Sequence, residues 1–520
     1  MGFLDNVGTL IDTVLVVTIV AAACLIDVFH NPCGHPRKLV VRRFLNWFLV
    51  GITYASTYFG RYNMNVVNQA RTHHDLGVSA SDFGVVLTVG SASYAVFVVV
   101  NGFVVDKIGG SRSMVIGALG SGFFNLVQGL FVQFGVGKVV GSPALIMMCV
   151  IFACNNFFQT FCTSAICKVA VNWYNIRERG YFSGVFGVII SLGFFFAYQI
   201  NGVVYDNMNW SWVYFIPAIQ LTVFGLLNWA FACDTPADAG FTYDPINLEN
   251  NESSALLKKK PEELKPKEKP SLKFLLKTVF GNPIFIVLCA IDICLGWNRD
   301  GVLGWFPEVL VARFDCSSSS NQYALASGGT TIAGMFGSLG AGMLSDSFFH
   351  SRRTPVAFVF YIGLALNVTA LLFVQSGWLF AFLIAFCSIW LNGLNGLITS
   401  TCAMDFAGSA ATATAVGLLD GIQKIGSSAS GFMGHILLPV KGERSHRDQI
   451  TPANYQNWVY SFLPPAAFAI ALCSLILDRK PATNKPAPQS ADKTDAVVEV
   501  AADGAAPNTT INSVPAERSQ

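Results

Sequence analysis

Residues Gly296–Leu310 read GWNRDGVLGWFPEVL and lie near the end of a long apolar run that begins at Pro283. Arg299 stands about one helix length into that run, with Asp300 beside it and Gly301, Gly304 and Pro307 following. A guanidinium keeps its charge at any ordinary pH. At membrane depth it must therefore face protein or a water-filled cavity and find an anionic partner, unless it lies near an interface and snorkels to headgroups. A second arginine decides between these. Tyr58–Asn63, YFGRYN, puts Arg61 at the matching place in the first half of the chain.

The bulk composition sets the solvent. Of 520 residues, 53% are hydrophobic and only 12% charged, and 43 are phenylalanine. Mean hydropathy is +0.50. Soluble chains carry about a quarter charged residues, whereas apolar runs of about 20 residues recur here from end to end. The chain reads as an all-α, multi-pass integral membrane protein, in the inner or plasma membrane of a cell or in an organelle membrane. The net charge of +2 says little about partners, because what matters is where the basic residues lie, and no nucleic-acid partner is expected. The thirteen cysteines stand singly, most of them inside apolar runs, and read as small packing residues with no disulfide or metal assigned. No nucleophile/base constellation appears, so no enzyme and no cofactor is expected, and a monomer is the expected state.

Residues 1–36 hold an apolar segment, Leu10–Phe29, without the basic start of a signal peptide. It reads as an extra helix that spans the membrane or lies along its surface. Arg37, Lys38, Arg42 and Arg43 then mark a cytoplasmic flank. About twelve helices follow: roughly 43–70, 82–105, 112–134, 143–173, 180–205 and 210–232, then 282–311, 321–345, 353–375, 378–404, 410–440 and 455–477. They make two six-helix bundles, residues 37–233 and 274–478. The Lys/Glu/Pro-rich stretch 234–273 reads as a cytoplasmic linker, and 479–520 as a disordered tail. Basic residues in short loops (Lys107 and Arg112, Arg177 and Arg179, Arg352 and Arg353) fit this topology, while Lys441–Arg447 runs against it.

The halves repeat. Arg61 and Arg299 are 238 positions apart. The loop after the second helix carries Gly102-x-x-x-Asp106 and that after the eighth Gly342-x-x-x-Asp346, with Asp106 and Asp346 240 positions apart. The fourth helix carries Asn156 and Gln159, the tenth Asn392 and Asn395, and the first members of these pairs are 236 apart. Three features at nearly one offset indicate a duplicated six-helix unit, with a site at mid-depth between the halves. The Gly-x-x-x-Asp loops read as conformational: the glycines allow close helix packing, and Asp106 can accept from a helix N-terminus or a nearby arginine.

These residues resemble the major facilitator superfamily, in which paired Gly-x-x-x-Asp loops follow helices two and eight. More narrowly they resemble its organophosphate:phosphate antiporter family, to which glycerol-phosphate and hexose-phosphate transporters belong. The matches are Tyr58–Asn63, Arg299-x-Gly301-x-x-x-Trp305-x-Pro307, Gln159…Lys168…Trp173…Glu178-Arg179-Gly180 and Asp234-Thr235-Pro236. The resemblance covers about residues 43–477. It implies that Arg61 and Arg299 clamp the substrate phosphate, a role to which two planar donor forks are suited. It also implies transport of inorganic phosphate against a phosphorylated sugar or glycerol phosphate. The chain departs from the family pattern at Tyr62, where many relatives carry lysine, at Ile190 and Val98, and at Cys162–Ala165, which lacks the usual Trp-Pro pair.

Around the clamp, Asp420 and Lys424 in helix eleven stand at i, i+4 and are expected to pair on a cavity face or as a structural tie. Lys168 is expected at the phosphate or against a carboxylate of the tenth or eleventh helix such as Asp405, and Asp292 as the resting partner of Arg299. Tyr58, Tyr62, Gln159 and Asn395 complete the candidate substrate site; tyrosines at such places are also common packing residues. Two other functions fit the same residues: a membrane sensor of sugar phosphate, and a proton-coupled organic-anion symporter using Asp292, Asp405 or Asp420.

Overall fold

The computed structural model describes residues 3–29, 35–67, 72, 75–77, 80–135, 139–174, 179–241, 281, 283–314, 316, 320–349, 352–437 and 450–477. The regular structure among them is helical throughout. After α1 (Phe3–Phe29) come α2 (Arg37–Val67), α3 (Ala80–Ile108), α4 (Gly110–Gly135) and α5 (Ser142–Trp173). Next are α6 (Arg179–Phe195), extended through a π-helical turn to Asn207, and α7 (Trp212–Phe231). The second half holds α8 (Pro283–Phe314), α9 (Asn321–Ser347), α10 (Arg353–Leu371), α11 (Gly377–Asn395) and α12 (Ala403–Leu437), then α13 (Pro452–Tyr460) and α14 (Leu463–Leu475). Most of the linker, the loop 438–449 and the tail fall outside the described residues.

Packing repeats between the halves as the sequence offsets require. In the first bundle α2 packs on α6, α3 on α5 and α4 on α5; in the second α8 packs on α12, α9 on α11 and α10 on α11. The bundles meet along two equivalent seams, α3 against α12 and α6 against α9. Small residues make both seams close, because without a Cβ two helix backbones can approach. A Cβ on Gly102 would lie 2.6 Å from the Ala413 carbonyl oxygen, and one on Gly417 2.5 Å from that of Val98. At the other seam Gly184 and Gly187 face Leu339 and Ser338.

Large apolar side chains cover the outside, among them Val96, Phe123, Leu366 and Phe373. An outer surface of this kind suits lipid rather than water. Eight helical segments among the described residues are long and apolar enough to cross a membrane. The core helices outside that set are α2, α8, α9 and α12, whose sequences carry the arginines, the helix-eleven charges and the polar run Asn321–Thr331.

The extra helix α1 packs on α2, α6 and α9, across the second seam. Val16, Ala23 and Asp27 form its buried face, while Val14, Val17 and Leu25 point outward. Near its C-terminal end Asp27 accepts hydrogen bonds from Trp47 Nε1 at 2.7 Å and from the Tyr174 hydroxyl at 3.1 Å.

Candidate substrate site

Arg61 owes its place to polar ties on the far side of α2. Asn155 Nδ2 donates to the Gly60 carbonyl at 2.8 Å, and Asn63 Nδ2 to Asn125 Oδ1 at 2.9 Å, which fixes the rotation of the helix. The guanidinium then lies over the ring faces of Tyr58, Tyr94 and Tyr62, at 4.5, 4.7 and 5.3 Å. Three aromatic faces stabilise a cation partially, by about 0.5–2 kcal/mol each according to desolvation. Among the described residues no carboxylate lies within ion-pair distance of Arg61, and its Nε has no hydrogen-bond partner. A half-buried cation so placed lacks an anion.

Arg299 is set by a backbone-to-backbone approach of α8 and α12. A Cβ on Gly296 would collide with the Gln423 carbonyl, and one on Gly426 with that of Ile293. The contact brings Arg299 and Asp300 beside Lys424. Lys424 Nζ lies 2.8 Å from Asp300 Oδ2, and Arg299 Nη1 3.8 Å from Asp300 Oδ1. Arg299 is 3% exposed, and its Nε and Nη2 have no hydrogen-bond partner. Its guanidinium lies 5.4 Å from the centre of the Phe194 ring, which itself packs against Tyr58 and Tyr62. Both arginines thus pack on one aromatic cluster.

They share a narrow cavity with Tyr58, Asn395, Asp420 and Lys424. Beside it lies a larger cavity of about 180 Å³, also lined by Arg61, Tyr62 and Lys424. Asn156 and Asn392, the repeat-related amides, both line it, with further hydroxyls from Ser327, Thr330 and Ser388. Three cations (Arg61, Arg299, Lys424) and two carboxylates (Asp300, Asp420) line the two spaces, a net of one positive charge.

The larger cavity lies between Arg61 and the end of the bundles away from the basic loops, reaching Asn65, Tyr198 and Phe306. At the basic end the halves touch. Asp106 accepts from the Thr414 backbone N–H and hydroxyl at 2.8 and 2.7 Å and from the Ala413 N–H at 3.3 Å. Asp106 thus ties the end of α3 to the body of α12 across the seam. Arg353 Nη1 donates to Ser345 Oγ near the repeat-related loop, where the Asp346 side chain, like that of Asp405, falls outside the described residues.

Several expectations require correction. Asp420 and Lys424 do not pair: Lys424 reaches across to Asp300, and Asp420 accepts from the Tyr94 hydroxyl at 2.8 Å. Helix spacing permits the pair, but the approach of α8 and of α3 supplies each residue with a nearer partner. Lys168 lines neither cavity; it lies 2.7 Å from Asp106 at the basic end. Gln159 turns into the first bundle, donating to Ser121 Oγ and Asn155 Oδ1. Asp292 is not the partner of Arg299, since its Oδ1 accepts from Thr399 and Gln423 at 3.0 and 3.1 Å. Of the departures from the family pattern, Ile190 and Thr163 line the narrow cavity, and Val98 is buried in the α3–α12 seam.

Tyr94, Phe194 and Asp300 are the residues that sequence reasoning left out of the site. Asp300 was in view as the neighbour of Arg299. Tyr94 and Phe194 sit in apolar runs that mark them only as aromatic, and their place depends on which helix faces meet.

Residues 50–431 match the family described as the Major Facilitator Superfamily. A glycerol-3-phosphate transporter of Bacillus subtilis (strain 168) is 27% identical over 368 residues, 69% of this chain and 79% of that protein. A probable hexose phosphate transport protein of Chlamydia trachomatis is 23% identical over 361 residues, covering 66% and 75% of the two chains. The membrane sensor protein UhpC of Escherichia coli K12 is 22% identical over 395 residues, covering 74% and 83%. Among solved structures, the proton:xylose symporter XylE superposes with a TM-score of 0.62 at 13% identity, over 83% of this chain and 95% of that one. FucP in the outward conformation gives 0.57 at 11% identity, over 83% and 99%.

Proposed function

The chain belongs to the major facilitator superfamily, and from that premise we propose that it exchanges inorganic phosphate for an organophosphate, a sugar phosphate or glycerol phosphate, by alternating access. The observation that carries this is Arg61, a half-buried guanidinium that meets no carboxylate within ion-pair distance among the described residues and shares a cavity with Arg299 and Lys424. Two guanidinium forks from opposing halves suit the oxygens of one phosphate, and the hydroxyl- and amide-rich larger cavity suits a polyhydroxylated remainder. The similarity to glycerol-phosphate and hexose-phosphate transporters supports the same substrate class. The uncompensated Arg61 also supplies the driving force of the cycle. Closure around an empty site leaves it unpaired in a low dielectric, so movement is favoured only with an anion bound. The basic end, taken as cytoplasmic, is closed in this conformation.

Counter-transport in reconstituted vesicles tests the reading. Labelled phosphate or hexose phosphate should enter phosphate-loaded vesicles and not empty ones. Equal uptake into empty vesicles driven by an imposed proton gradient would make the protein a symporter. Saturable phosphate binding without any uptake would favour a sensor, the role named for the Escherichia coli relative.

A further inference from the structure

Each described carboxylate at the clamp is held by a donor other than Arg61. Asp300 rests on Lys424, and Asp292 on Thr399 and Gln423, all within the second bundle. Asp420 is different. Its hydrogen bond crosses the seam to the Tyr94 hydroxyl on α3, at 2.8 Å. With that proton given to Asp420, the Thr163 hydroxyl, 2.6 Å away, is left to donate to Tyr94. The Tyr94 ring meanwhile lies under the Arg61 guanidinium. Tyr94 is 2% exposed, and Asp420 lines the narrow cavity together with both arginines. Among the described residues no cation forms an ion pair with Asp420.

A carboxylate in a cavity with two guanidiniums is a built-in competitor for phosphate. It carries the same sign of charge and offers the same two-oxygen face to the donor fork. Set free, Asp420 could turn onto a guanidinium of the clamp and take the donor fork that the substrate needs. We propose that Tyr94 is a positioning residue whose hydroxyl holds Asp420 off the Arg61 end of the clamp and so keeps that guanidinium available to the substrate. The bond spans the two bundles, so it lasts only while α3 and α12 are apposed at this depth. This assignment rests on the phosphate-clamp reading and adds to it the residue that keeps the clamp empty of internal anions.

The test is a titration of the purified full chain with inorganic phosphate, comparing wild type, Tyr94→Phe, Asp420→Asn and the double variant. Tyr94→Phe keeps the ring over Arg61 and removes only the donor, so phosphate should bind about tenfold more weakly, the worth of one hydrogen bond to a charged group. Asp420→Asn should bind at least as well as wild type, because an amide cannot compete for the fork. The double variant should return to the wild-type value, which a merely structural role for Tyr94 would not produce. Unchanged binding in Tyr94→Phe, or a double variant as weak as Tyr94→Phe, overturns the assignment. Should Tyr94→Phe not fold, Asp420→Asn with and without Tyr94→Phe decides: equal affinities support the assignment and a weaker double variant overturns it. A wild type that binds no phosphate, or Arg61→Lys binding it unchanged, overturns the clamp reading itself.

Discussion

A guanidinium and an ammonium group carry the same charge but present different geometry to a phosphate. The guanidinium offers two parallel donors in a plane, the ammonium a single point. Arg61→Lys and Arg299→Lys should therefore each lower phosphate exchange about tenfold or more, since a desolvated charge-assisted contact is worth roughly 1.5–3 kcal/mol. Exchange at the parental rate in either variant, at equal expression, would make these residues structural. Lys424 acts differently, because its ammonium is engaged by Asp300. Lys424→Ala frees Asp300 to lean fully on Arg299, so phosphate affinity should fall. Lys424→Ala with Asp300→Asn removes the competitor and should recover most of it. An affinity that stays low in the double variant would mean that Lys424 contacts substrate directly. The arginines could be found in the sequence because an ionised group in an apolar run demands a reason, and its recurrence in the other half supplied one. The partner of Lys424 could not be found that way. Spacing along one helix offers Asp420, while the partner actually met depends on how closely α8 and α12 approach at Gly296 and Gly426.

Helices were legible wherever composition changed abruptly at their ends. The expected span 143–173 is α5, Ser142–Trp173, and 321–345 is α9, Asn321–Ser347. The boundary near 403–411 was not legible: AMDFAGSAATATA contains no proline, and α12 begins at Ala403 instead of near 410. Lys168 shows the same limit, since its helix was clear but the face it presents, toward Asp106, was not. The extra helix α1 is expected from sequence to span or to lie along the membrane; its packing across the α6–α9 seam depends on which helix faces meet. Its anchor can be tested. Asp27→Ala leaves the Trp47 and Tyr174 donors without this acceptor, at a cost of about 1–3 kcal/mol for each buried group left unsatisfied. The melting temperature in detergent should drop, while phosphate affinity stays at the wild-type value because Asp27 lines neither cavity. An unchanged melting temperature would show that α1 is not held at this point.

At the scale of the whole molecule, the duplicated pattern specifies two related bundles but not which end of the central cavity is closed. In a transporter that works by rocking, the same helices pack within each bundle throughout, and only the contacts between bundles differ. Here those at the basic end are made, Asp106 on Thr414 and Gly102 against Ala413, and the larger cavity lies toward the other end. Gly102 is the place to intervene. A Cβ there would stand 2.6 Å from the Ala413 carbonyl oxygen, a backbone atom on a packed helix that cannot turn aside as a side chain can. Gly102→Leu should wedge the seam apart at the basic end and favour the conformer closed at the opposite end. Asn65 lines the larger cavity, so in a background cleared of the thirteen native cysteines Asn65→Cys should react with a membrane-impermeant maleimide applied opposite the basic loops. Adding Gly102→Leu should slow that labelling and depress exchange together. Labelling and exchange at the parental rates would mean that the seam tolerates the side chain and that closure at the basic end is governed elsewhere.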